Sequence, residues 1–279
     1  WISGLLRGTI RGPMLGFFKR RRREALMAEP FPPERLAIIQ KNVPYFRRLP
    51  PEDQRELLGH VQVFLAEKEF EGCGGLELTD EIKVTIAVQA CLLLLHRETD
   101  YYPELAVILV YPRGYLAPKT TVAPGGVVLE GNQARLGESW DRGVVVLAWD
   151  SVLSGARDMR DGHNLVLHEF AHQLDQEEGS ADGAPELPCA SMYTAWARVL
   201  STEYERLHED IDRLRQTVID DYGATNPAEF FAVVTETFFE RPGALKSRHP
   251  ALYEQLRIFY KQDPAALVKR PSSPPSGKR

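Results

Sequence analysis

Residues 164–175 read Asn-Leu-Val-Leu-His-Glu-Phe-Ala-His-Gln-Leu-Asp, and they constrain the chain more than any other stretch. Leu165, Val166, Leu167, Phe170, Ala171 and Leu174 cover most faces of a helix, so that helix must be buried. Burial takes His168, Glu169 and His172 inside with it, and two imidazoles and a carboxylate buried without a ligand are costly. Histidines at i and i+4 stand one turn apart on one face, so both rings can reach a single ion. Glu169 then stands beside the ion's open position. Zinc at such a site lowers the pKa of its water towards neutrality, and a carboxylate can take that proton during attack on a carbonyl. A His-Glu-x-x-His match arises by chance in roughly one or two chains per hundred of this composition. The plain alternative is a pair of satisfied core histidines.

A catalytic zinc takes three protein ligands and keeps one position open. A metzincin would place its third histidine at Glu178 and a glycine at Asp175, so that subclass is excluded. The third ligand is therefore expected from a later helix, as a carboxylate. Glu229 is the candidate, within Asn226-Pro-Ala-Glu-Phe-Phe-Ala-Val233. The same residues also make a capping box, with Asn226 as N-cap, Pro227 at the first helical position and Glu229 at the third. Spacing leaves capping and ligation both open. Glu236, seven residues on and on the same face, is a rival ligand or a partner that orients a histidine. Asp175, one turn beyond His172, is either a similar orienting group or a surface carboxylate.

The rest of the chain reads as helices, a small sheet, then helices. From Pro33 to His96 the spacing is helical: Leu36, Ile39 and Val43, then Leu57, Leu58, Val61 and Leu65 after Pro50-Pro51-Glu52. Gly72-Cys73-Gly74-Gly75 breaks the pattern. Thr79 is an N-cap with Asp80 and Glu81 in the first turn, and Ile82 to Leu95 is a helix apolar almost all round. Leu105–Tyr111 and Val144–Trp149 are short β-branched runs that read as strands, with glycine-rich turn material between them. Helical spacing returns after Trp149 and lasts to about Tyr260. This order predicts an α+β fold, not the βαβ alternation of a nucleotide-binding fold. Three parts are expected: a basic segment over 1–31 with no fold of its own, a domain over 32–263 (helical part 32–100, catalytic part 101–263), and a disordered tail over 264–279.

Composition excludes other classes. With 34 Lys+Arg against 39 Asp+Glu the net charge is −5, no overall reason to expect nucleic acid or an anionic membrane. The run Lys19–Arg23 is read as a solvated helix start or arm. Cys73, Cys91 and Cys189 are odd in number and far apart, so no disulfide framework is expected. The longest apolar candidate, Trp1 to Phe18, carries Arg7 and Arg11 and would span a membrane poorly; its basic residues follow the apolar part, the reverse of a secretory signal. These features predict a cytoplasmic chain without stable membrane insertion and without a nucleic-acid partner; a monomer is expected, though none of these features fixes the oligomeric state. Met14 is the expected natural start, with residues 1–13 lying upstream of it.

With these segments in place, the sequence resembles the zinc-dependent peptidases typified by Mlc titration factor A of enterobacteria. The resemblance is carried by His168-Glu-Phe-Ala-His-Gln-Leu-Asp175, Asn226-Pro-Ala-Glu-Phe-Phe-Ala-Val233, Phe70-Glu-Gly-Cys-Gly-Gly-Leu-Glu-Leu-Thr79 and Met14-Leu-Gly-Phe-Phe-Lys-Arg-Arg21, spanning about residues 14–262. It implies a gluzincin-like, zincin-like fold whose catalytic part resembles the protease domain of anthrax lethal factor. It also implies one Zn2+ per chain held by His168, His172 and Glu229, with Glu169 as general base. Tyr222, seven residues before Glu229, matches the family's tyrosine that faces the developing oxyanion. In such folds an edge strand pairs with the substrate backbone, and Val144–Trp149 is the candidate, with an ordinary core strand as its alternative. Aminopeptidase-like cleavage of short peptides and binding of the glucose-system repressor Mlc are the activities implied. The alternative from another class is a non-catalytic regulatory protein that sequesters a transcription factor around a structural zinc.

Overall fold

The computed structural model describes residues 13–123, 127–135, 137–140, 143–177 and 181–267. Along these the chain runs α1 (Pro13–Ala28), α2 (Pro33–Asn42), a 3-10 turn (Pro44–Arg48), α3 (Pro51–Glu67), β1 (Glu69–Gly72), α4 (Asp80–Leu92), β2 (Val107–Tyr111), β3 (Tyr115–Ala123), β4 (Val127–Arg135), β5 (Gly137–Trp140) and β6 (Val144–Ala148). It continues through α5 (Trp149–Arg157), α6 (Leu165–Asp175), α7 (Ala190–Asp212), a second 3-10 turn (Asp221–Ala224), α8 (Pro227–Glu240), α9 (Pro242–Arg248), α10 (Pro250–Tyr260) and α11 (Pro264–Leu267). Helices, a small sheet and helices again make this an α+β fold.

The main sheet has the order β1-β2-β6-β5, parallel across the first three strands and antiparallel between β6 and β5. Strands β3 and β4 form a separate antiparallel hairpin. Two sequence expectations are corrected here. Val144–Trp149 is not an edge strand, because β6 is hydrogen-bonded to β2 on one side and β5 on the other, and Trp149 already opens α5. Its residues explain this: Val145, Val146, Leu147 and Ala148 are all buried, as an interior strand of a covered sheet requires. The helical reading of 33–96 also missed β1, whose four residues gain their stability by pairing with β2, a partner far along the chain.

The basic segment is likewise not without fold. α1 docks on α3, held by Arg23, whose guanidinium reaches Glu67 (2.7 and 2.8 Å) and Asp100 (2.7 Å) and lies 4.6 Å from the Tyr101 ring centroid. Gln62 Nε2 donates to the Leu26 carbonyl at 2.8 Å, tying down the helix end. Of the basic run, Lys19 also pairs with Asp100, while Arg20, Arg21 and Arg22 are exposed, Arg20 pairing with Glu24 of the same helix. Residues 264–267 form α11 rather than the start of a tail. The expectations for residues 1–12 and 268–279 lie outside the described residues.

Helix α4 sits at the centre, buried on every face from Ile82 to Leu92 save Lys83, with Thr79 accepting the Ile82 N–H as its cap. Such a cap stabilises by about 1 kcal/mol. Helix α8 is equally buried, and Phe238, Phe239, Tyr253, Phe259 and Tyr260 form an aromatic cluster at its far end. Truncating one of these rings to alanine typically costs about 3–5 kcal/mol. Helices α6 and α8 pack against each other within this buried core. Among the described residues no helix is long and apolar enough to cross a membrane.

Candidate metal centre

Asn164 caps α6, its side-chain oxygen accepting the Leu167 N–H at 3.0 Å. One turn in, His168 and His172 point from α6 towards the first turn of α8. There Asn226 Oδ1 accepts the Glu229 N–H at 2.9 Å, so the cap is real. The Glu229 carboxylate does not complete a capping box. Its Oε2 lies 3.0 Å from His168 Nε2 and 3.4 Å from His172 Nε2, and the two imidazole nitrogens are 3.2 Å apart. Ligands about 2.0–2.1 Å from a tetrahedral ion lie about 3.3 Å from one another, so these three atoms fit one face of such a site. Two imidazole nitrogens and one carboxylate oxygen are also a donor set that suits zinc.

The surroundings are those of a metal ligand. His168 Nδ1 donates to Glu236 Oε1 at 2.8 Å, so Glu236 stands behind the histidine and orients it instead of joining the donor triangle. Burial opposes a charged His168, but Glu229 and Glu236 outweigh it and push its pKa well above the ordinary value. Burial likewise raises Glu229, yet hydrogen bonds from the two histidines hold its carboxyl well below the usual range. Glu169 is 4% exposed, and one of its oxygens has no hydrogen-bond partner. Burial pushes its pKa up, making it a better base than an exposed carboxylate. Tyr222 is half-exposed on the second 3-10 turn, with its ring centroid 6.0 Å from that of His168. Its N–H donates to Asp220 at 2.9 Å, which fixes the turn. Burial, then the carboxylates of Glu229 and Glu169, raise its phenol, so it stays protonated across the neutral range.

Asp175 is not the surface carboxylate that was one alternative. It is 1% exposed, accepts the Gly183 N–H at 2.8 Å, and is pushed up to about 6 by burial. A second group, Asp53, Glu56 and His96, behaves differently: each ring nitrogen of His96 faces its own carboxylate, at 3.4 and 3.1 Å, as in an ion pair. The sequence reading gave no role to Asn164, Gln89 or Glu240, all buried, with Asn164 bonded to the other two and to Glu236. A signal existed for two of them: an Asn directly before an apolar helical run, and a lone glutamine in the apolar stretch Ile86–Leu92.

Over residues 17–261 the chain matches the family described as glucose-regulated metallo-peptidase M90. The chain belongs to this family. Similar curated proteins include an uncharacterized Synechocystis protein, 43% identical over 244 residues, which cover 87% of this chain and 89% of the relative. Mlc titration factor A of Serratia proteamaculans is 34% identical over 233 residues (82% and 87%), and that of Klebsiella pneumoniae 33% identical over 232 residues (81% and 86%). The resemblance seen in the motifs is thereby borne out. A metal ion is expected of an M90 metallo-peptidase, and His168, His172 and Glu229 are where this chain's donors converge.

Proposed function

We propose that the chain is a zinc-dependent peptidase of zincin-like fold that hydrolyses short peptides, in aminopeptidase fashion, with one ion held by His168, His172 and Glu229. The observation that carries this is the donor triangle of 3.0, 3.2 and 3.4 Å with the buried, half-unpartnered carboxylate of Glu169 next to it. Zinc held there supplies a Lewis acid that polarises a peptide carbonyl and brings the pKa of water towards 7. Glu169 takes the proton of the attacking water and passes it to the leaving amine. Tyr222 donates its hydroxyl hydrogen to the oxygen that becomes negative as the carbonyl is attacked. Strand β5, last in the sheet order among the described residues and in contact with α6, would be the strand that pairs with the substrate backbone.

Elemental analysis together with a short-peptide panel tests this. The parent and Glu169→Gln should each hold about one zinc per chain, while only the parent cleaves; loss of a general base lowers turnover by roughly 10²–10⁴-fold. A Glu169→Gln protein as active as the parent sinks the assignment. The titration-factor name of the relatives supports a second reading, binding of a transcriptional repressor of the Mlc type. Zinc without cleavage of any peptide would favour it.

A further inference from the structure

Asn164 stands where four helices meet. While its Oδ1 caps α6, its Nδ2 donates to Gln89 Oε1 on α4 at 2.9 Å, to Glu240 Oε1 on α8 at 3.2 Å and to the Gly155 carbonyl on α5 at 3.3 Å. Its main-chain N–H donates to Glu236 Oε2, whose other oxygen holds His168 Nδ1. Gln89 is itself fixed, donating to the Thr85 carbonyl at 2.8 Å. Asn164, Gln89, Glu236 and Glu240 are 5%, 2%, 6% and 6% exposed. Capping alone does not call for this, since Ser, Thr and Asp cap helices too. Of these capping side chains only the amide accepts from Leu167 on one side and, on the other, offers two N–H donors that are shared among three acceptors.

We propose that Asn164 is a positioning residue for the metal centre, acting through Glu236. Its side chain anchors residue 164 to three neighbouring helices, which aims the main-chain N–H at Glu236 Oε2. That fixes the rotation of the carboxylate, so Oε1 takes the His168 Nδ1 hydrogen and the Nε2 lone pair faces the ion. A carboxylate free to rotate leaves the imidazole free to turn or to change tautomer, and either weakens the metal site. This inference rests on the proposed metal centre.

The test measures zinc affinity by competition with a chromophoric chelator, and the visible spectrum of the Co2+-loaded protein. It compares the parent, Asn164→Ser, Glu236→Ala and the double variant. Serine still caps α6 but lacks the amide; thermal melting of the metal-free protein reports whether it folds, and Asn164→Asp, an isosteric cap, replaces it if it does not. Asn164→Ser should weaken zinc about 10-fold, shift the Co2+ bands, and cost nothing further once Glu236 is alanine. Unchanged affinity in a folded capped variant overturns the proposal, as does an equal loss with and without Glu236, the mark of a merely structural role. A parent that binds no zinc overturns the metal-centre reading and this one with it.

Discussion

Glu229 does with its main chain what a capping residue does and with its side chain something else. Asn226 satisfies its N–H, which frees the carboxylate to leave its own helix and meet two histidines of α6. A capping-box glutamate would turn back to the N–H of residue 226, and nothing in the local sequence distinguishes the two orientations. Tyr222 is a second case in which neighbours decide the role. Because nearby burial and carboxylates keep its phenol protonated, it can donate throughout the neutral range. Tyr222→Phe should keep the parent's zinc content and lower turnover by about 10²–10³-fold, the usual cost of one oxyanion donor. Metal analysis and steady-state kinetics on the same sample check both halves.

At the scale of elements, the site depends on how closely α5 approaches the start of α6. Gly155 makes this approach possible: a Cβ there would lie 3.1 Å from both the Asn164 Cα and the His163 carbonyl oxygen, two main-chain atoms that cannot rotate away. Gly155→Ala should therefore push the helices apart and cost about 1–3 kcal/mol, read as a shift in the urea midpoint. The strands show a complementary effect. Val144–Ala148 and Val107–Tyr111 are legible as strands from their β-branched runs, yet both are interior only because β1 and β5 pair on their outer sides. Neither of those short strands carries a comparable signal. Four residues such as Glu69–Gly72 are too few to display a period and become a strand only because β2 is there to pair with.

Across the molecule, burial shifts several carboxylates, and Glu240 is shifted far even though Asn164 and the Gly162 N–H donate to it. Burial pushes it up to about 9, against an ordinary 4.5. Between those values the unfolded chain has lost the proton while the folded chain keeps it, so this group's stabilising contribution, full below about pH 4.5, is lost as pH rises towards 9. Glu240→Gln lacks that slope. Its stability relative to the parent should rise steadily from pH 5 to pH 9 in urea titrations, and a flat difference would contradict the burial argument. Arg23 joins α1 to the body through two carboxylates and the Tyr101 ring. Arg23→Ala should cost about 2 kcal/mol and expose α1 to limited proteolysis before the rest of the chain.

The chain's own order of residues determined the helix class of Leu165–Asp175, the burial of Glu169 and His172, the caps at Thr79 and Asn226, and the α+β succession, because each follows from local spacing. Tertiary structure alone decided that the Glu229 carboxylate meets His168 and His172 while Glu236 stands behind His168, that Asp175 is buried against Gly183, that β6 is interior and that residues 13–28 of the basic segment fold as α1. These outcomes depend on groups dozens of residues apart in sequence. A carboxylate's partner is set by which donor lies within about 3 Å of it, a distance that exists only after the helices have packed.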